Sequence, residues 1–190
     1  MAFRFRRGFK TEAESHALEL REELKLADHA PICPWKVAEH LEIPVHTLRS
    51  IRDVEPKAYA YLSGVGHEYF SAVTLFGGTH GCTRMICHND SHAKTRQRAN
   101  LAHELAHAIL LHPPTEMFEC DPDAEEEAKW LGPALLVPHP AAIKIAFTSA
   151  PIEVAAESYG VSKVLMRMRL NVTGANNIAR RSRAKTGSRK

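Results

Sequence analysis

The sequence predicts an α+β domain, and three observations predict it. Apolar residues recur at helical spacing at the front of the chain, two runs rich in aromatic and β-branched residues flank a glycine-rich turn, and helical patterns resume beyond them. At 190 residues the length expectation is one domain with small appendages, with a core of useful size. Apolar residues make up 44% and charged residues 25% of the chain, which is ordinary globular composition and excludes wholesale disorder.

Taken in order, Ala13, Ala17, Leu20 and Leu24 share one face and predict a helix over 11–27. Pro34 stands where a first-turn proline opens a second helix over 35–41, which ends before Ile43-Pro44-Val45. Residues 68–76 read as a strand, Gly77-Gly78-Thr79-His80-Gly81 as a turn, and 82–88 as a strand returning antiparallel. Asn89-Asp90-Ser91 offers capping oxygens to a long helix over 95–111, which Pro113-Pro114 stops. The acidic run 121–127 opens the next helix, where negative charge suits the N-terminal dipole. Shorter helices are expected over 141–147, 151–159 and 162–170.

The net charge of +3 is misleading until it is divided. Ten of the 25 basic residues lie at the ends: Arg4, Arg6, Arg7 and Lys10, then Arg180, Arg181, Arg183, Lys185, Arg189 and Lys190. The body from 11 to 179 therefore carries 15 basic and 22 acidic residues, a net of −7. A domain that grips nucleic acid carries its positive charge on the folded face, so nucleic acid is not expected as a direct partner. The expected organisation is a basic N-terminal arm over 1–10, the main domain over 11–150, a helical pair over 151–172, and a disordered basic tail over 173–190. Cys33, Cys82, Cys87 and Cys120 are too few and too scattered for a disulfide scaffold. No apolar run reaches bilayer length, and no apolar h-region follows the charged start, so a cytoplasmic protein with reduced thiols and no membrane partner is expected.

The chemistry is concentrated in His103-Glu104-Leu105-Ala106-His107. Residues four apart on a helix share a face with Cβ atoms about 5–6 Å apart. Both imidazoles then reach one zinc ion at roughly 2.0–2.1 Å. Glu104 projects beside the ion and can take a proton from bound water, whose pKa zinc lowers to about 7. A shuffled chain of this composition would contain the pattern roughly 7% of the time, so its weight comes from the helix, cap and stop around it. A catalytic site needs a third donor and an open fourth position. Glu125, Glu126 and Glu127 are the candidates. Ala124, Ala128, Leu131 and Leu135 define an apolar face from which Glu126 points away, while Glu125 and Glu127 lie on its two edges.

The run Thr95-Arg-Gln-Arg-Ala-Asn-Leu-Ala-His-Glu-Leu-Ala-His107, followed by Glu125-Glu-Glu-Ala-Lys-Trp-Leu-Gly-Pro-Ala-Leu-Leu-Val-Pro138, resembles the ImmA/IrrE metallopeptidases. Their pattern is Arg-x-Arg-Phe-Thr-x-Ala-His-Glu-Leu-Gly-His, then Glu-x-x-Ala-Asn-x-Phe-Ala-x-x-Leu-Leu-x-Pro. The resemblance implies a compact zincin-like peptidase domain with His103, His107 and Glu125 as zinc ligands and Glu104 as general base. It also implies a protein substrate, a helix-turn-helix repressor cleaved at one site in a mobile-element or stress response. Ala99-Asn100 departs from the Phe-Thr of the pattern. Lys129 stands where an Asn often orients a ligand His, and Gly132-Pro133 interrupts a normally continuous helix.

Other patterns are weaker. Cys82 and Cys87, near His88 and His92, are five positions apart on a strand and so point to opposite faces, which argues against a second metal site. Residues 154–170 have a helix-turn-helix rhythm in which Arg167 and Arg169 offer phosphate contacts, but packing over the core through Val154, Val164 and Leu165 is the favoured reading. His112, His139 and Tyr159 are candidates for stabilising an oxyanion. The alternatives to an enzyme are a DNA-binding or antitoxin-like regulator on a peptidase fold, and a zinc-binding but inactive relative.

Overall fold

The computed structural model describes residues 5–77, 83–113, 121–148 and 150–187. It is α+β, as expected. Helix α1 (Phe9–Glu23) starts earlier than the spacing implied because Phe9 joins its buried face with Ala13, Ala17 and Leu20. The arm before it is no loose appendage: the Phe5 ring meets Trp130 edge-on at 5.2 Å, and Arg6 pairs with Glu12 and Glu127. Helix α2 (Pro34–His40) begins on its proline. Strand β1 (Val45–Thr47), a 3₁₀ turn (Leu48–Ile51) and helix α3 (Pro56–Ser63) were not anticipated. Three residues are too few to show strand alternation, and α3 buries none of its residues, so neither left a periodic signal.

Strands β2 (Ala72–Gly77) and β3 (Thr83–His88) pair antiparallel, with Thr74 opposite Ile86 and Phe76 opposite Arg84. The turn residues 78–82, including Cys82, lie outside the described residues, as does Cys120. The small antiparallel sheet that the two strands imply is present and is extended by β1, which runs parallel to β3 with Val45 opposite Ile86, so the sheet is mixed. The strand order β1-β3-β2 leaves β2 at an edge. Helix α4 (Lys94–Ile109) takes no side-chain cap. The Asn89 carboxamide oxygen instead accepts from the Ser91 amide and hydroxyl at 3.1 and 2.6 Å. Gln97 braces the approach by donating to the carbonyls of Asp90 and His92.

Helix α5 (Pro122–Leu136) is capped by Asp121, whose carboxylate accepts from the Asp123 amide at 3.0 Å. It runs through Pro133 without breaking. Its apolar face (Ala128, Leu131, Leu135) packs on Leu101, Leu105 and Ala106 of α4 to form the centre of the core. The two backbones touch at Gly132, where an added Cβ would lie 3.1 Å from both the Ala102 carbonyl oxygen and the His103 nitrogen. The far end of α5 is held by two fully buried guanidinium groups. Arg21 donates to the Leu135 carbonyl at 2.7 Å and Arg169 to the Val137 carbonyl at 2.8 Å, satisfying carbonyls that a helix end leaves open. Burial pushes the Arg21 pKa down to about 10.

Beyond α5 come α6 (His139–Thr148), α7 (Ile152–Tyr159) and α8 (Lys163–Val172). No single described helix is long and apolar enough to cross a membrane. The pair α5 and α6 reaches that length only across a 51° bend, and most of its apolar residues are core, Phe147 being exposed. The late helices pack through Ala155, Ala156, Tyr159, Met166 and Leu170, while Val154 and Val164 are exposed, contrary to expectation. Arg169 is buried on Val137 and Glu14 and offers nothing to a phosphate. Of the segment expected as a disordered tail over 173–190, residues 175–187 form helix α9 (Ala175–Gly187). Ala175 and Ala179, four apart, are buried, and Arg183 donates to the last carbonyls of α6, at Ala146 and Phe147. Small inward residues and one helix-end contact order a stretch whose composition alone looks solvated.

Gly132→Ala tests the α4–α5 contact by the sign of its effect. At an open helix position the change would stabilise by about 1 kcal/mol. Against two rigid backbones we expect overpacking of about 1–3 kcal/mol to win. A lower melting temperature in calorimetry is the expected result, and a higher one would contradict the close approach.

Candidate metal centre

His103 and His107 sit one turn apart on α4, and Glu125 comes from the first turn of α5. Their side chains converge. The two Nε2 atoms are 3.2 Å apart. Glu125 Oε2 lies 3.5 Å from His103 Nε2, and Oε1 lies 3.3 Å from His107 Nε2. A tetrahedral ion with bonds of about 2.0–2.1 Å spaces its donors by about 3.3–3.4 Å; each nearest pair stands close to that distance, with the two Glu125 oxygens each facing a different imidazole. Two neutral imidazoles and a carboxylate are also a donor set that suits a first-row divalent ion. Among the described residues this is the group that could hold a metal ion. Cys87, His88 and His92 form no second one: His88 is buried edge-on to Trp35 at 5.8 Å, and His92 packs against His67.

Glu104 is beside this group and not part of it. Its Oε2 accepts a hydrogen bond from the Thr74 hydroxyl at 2.6 Å. Burial raises the Glu104 pKa, and the Thr74 bond and the neighbouring His103 oppose that rise. Burial pushes His107 down to about 4, with His103 adding to the effect, so its imidazole stays neutral and free to bind a metal at neutral pH. Hydrogen bonding to His103 holds the Glu125 carboxyl below the usual carboxylate range.

Two cavities meet at Glu104 and Glu125. One, of about 460 Å³, is lined by Thr74, Leu75, Phe76, Arg84, His107 and His112 among others. The other, of about 270 Å³, is lined by Tyr69, Ser71, Asn100 and His103. Both include Ala72, so together they form a cleft along edge strand β2 with the metal group in its floor.

Of the three acidic candidates, Glu125 faces the imidazoles. Glu126 pairs with Lys129 at 3.3 Å on the outer face, and Glu127 turns to His112 at 3.4 Å. Lys129 therefore orients no imidazole. Gly132-Pro133 does not interrupt α5 but is its point of contact with α4. Of the oxyanion candidates, Tyr159 donates its hydroxyl to the His29 carbonyl and His139 opens α6, both away from the cleft. His112 lines the cleft, but its ring is engaged by His107 and Glu127. Sequence reasoning missed Thr74 and Arg84. The half-buried Arg84 has its guanidinium 5.0 Å from the Phe76 ring centroid and donates to the His112 carbonyl. Neither residue carries a local signal, because each meets the site only through the hairpin.

An α+β domain with two imidazoles from one helix, a carboxylate from the next and a second carboxylate beside them defines a protein of metallopeptidase type. The chain belongs to the Peptidase M78 family: the model of its IrrE N-terminal-like domain matches residues 61–171, more than half of the 190. No curated protein and no solved structure matches the chain. The matched span runs from α3 into α8, so α1, which packs along α5, lies before it.

Thr74→Val tests the hydrogen bond at Glu104. Removing a donor to the ionised carboxylate should raise the Glu104 pKa further, so that the proton is lost at a higher pH than in the unaltered protein. A ¹³C titration of the carboxyl carbon in metal-free protein reads this directly. An unchanged or lower midpoint would contradict the assignment.

Proposed function

We propose that the protein is a zinc-dependent endopeptidase, with His103 Nε2, His107 Nε2 and Glu125 holding the ion and Glu104 as general base. The observation that carries this reading is the spacing of 3.2 to 3.5 Å between the nearest donor atoms of the three side chains, with a separate, proton-competent carboxylate beside them. Zinc bound there supplies a polarised carbonyl and a water acidic enough to ionise near neutral pH. Thr74 holds Oε2 of Glu104, which leaves Oε1 to take the proton of the attacking water and deliver it to the leaving amine nitrogen. Arg84, on the wall of the same cavity, is the cation we assign to face the developing oxyanion.

A polypeptide substrate suits the cleft. Edge strand β2 has one side unpaired within the sheet, and an extended chain can add to it by main-chain hydrogen bonds. Leu75 and Phe76 are exposed beside that edge and offer apolar contact to alternate substrate side chains. The finer reading, site-specific cleavage of a helix-turn-helix repressor, rests on the family resemblance. Arg169, the arginine that the helix-turn-helix rhythm offered to a phosphate, is buried, which favours a protein over DNA as the direct partner.

Metal analysis combined with substitution tests the reading. The unaltered protein should contain one zinc per chain. Glu104→Gln should keep that zinc while repressor cleavage falls by at least about 10²-fold. Glu125→Ala should lose the metal, and Glu126→Ala should be nearly silent in both measurements. Protein purified without stoichiometric zinc, or undiminished cleavage by Glu104→Gln, would overturn the proposal.

A further inference from the structure

We propose that His112 and Glu127, clamped by Arg6 from the N-terminal arm, form a hydrogen-bond relay that orients His107; all three are positioning residues. The inference rests on the zinc-peptidase reading and adds to it the means by which one ligand ring is held. His107 turns Nε2 toward His103 and Glu125, and its other nitrogen, Nδ1, is 2.9 Å from His112 Nδ1. Nε2 of His112 is 3.4 Å from Glu127 Oε2, and Arg6 Nε donates to Glu127 Oε1 at 3.1 Å. Arg6 is itself fixed by both oxygens of Glu12.

The hydrogens can be assigned in one direction only. An imidazole that presents the Nε2 lone pair to a metal carries its hydrogen on Nδ1. Two Nδ1 atoms at 2.9 Å share one hydrogen, so His107 donates and His112 accepts. With Nδ1 accepting, His112 carries its hydrogen on Nε2 and donates to Glu127. The carboxylate ends the chain as an acceptor, with the Arg6 guanidinium on its other oxygen. A ligand His backed in this way has its tautomer and ring plane fixed and its basicity raised.

The backbone is shaped for this contact. Leu111 adopts φ 54°, a left-handed conformation that costs an L-residue energy, and its side chain is exposed. The turn lets the His112 amide donate to the His107 carbonyl at 3.0 Å and folds the His112 ring back over α4. The side chains of His112 and Glu127 are only 12% and 14% exposed, so water competes weakly for their bonds. This relay supplies the support that Lys129, paired outward with Glu126, does not.

The test uses zinc-loaded full-length protein and two variants. His112→Leu removes both bonds, whereas His112→Gln keeps an acceptor and a donor. Zinc affinity, measured by competition with a chromogenic chelator, should weaken about 10–100-fold in His112→Leu and recover to within about threefold in His112→Gln. ¹⁵N-resolved imidazole spectra of the unaltered protein should show hydrogen on Nδ1 of His107 and on Nε2 of His112, a readout that needs no variant to fold. Equal zinc affinity in His112→Leu, no recovery in a folded His112→Gln, or the opposite tautomer at His112 would each overturn the relay. An unaltered protein that binds no zinc would instead remove the peptidase reading, and the relay with it.

Discussion

The backbone-to-backbone approach of α4 and α5 at Gly132 is the constraint on which the site depends. Glu125 is two helical turns before Gly132 on α5, and His103, whose amide Gly132 nearly touches, is a ligand candidate on α4. A side chain at 132 would force the helices apart and carry the carboxylate away from the imidazoles. Donor spacings of 3.2 to 3.5 Å leave little room for that, since a shift of an ångström would take one donor out of reach of a shared ion. Arg21 and Arg169 fix the same end of α5, just beyond Gly132, through its terminal carbonyls.

The electrostatics follow from how that packing encloses the side chains. Burial lifts the Glu104 pKa and depresses that of His107, in each case favouring the neutral form. A neutral imidazole is a ready ligand, and a carboxylate whose pKa is raised is a better proton acceptor than one free in water. In the cleft, Glu104, Glu125, His103 and His107 form the floor, Leu75 and Phe76 line it from the edge strand, and Arg84 contributes positive charge from the wall.

How far the sequence could be read depends on whether each feature is local. His103, Glu104 and His107 were legible because helical spacing alone sets their common face. The wheel rejected Glu126, and the family resemblance favoured Glu125 over Glu127. The fold showed why: α5 presents Glu125 to the imidazoles and turns Glu127 toward His112. Short β1 and solvent-facing α3 left no periodic signal, and the few buried positions of α9 were hidden by its charge. The helix-turn-helix rhythm was real as local structure, but its arginine at 169 serves the core.

By itself, then, the sequence determined the class of fold, the helices that carry the motif and two of the three converging side chains, because these follow from periodicity and from neighbours on one helix. Only the tertiary structure decided which glutamate completes the group, that Thr74 and Arg84 reach the cleft, and that His112 backs His107. Those contacts join residues far apart in the chain, and their distances are set by how closely two backbones can pack, which no local pattern encodes.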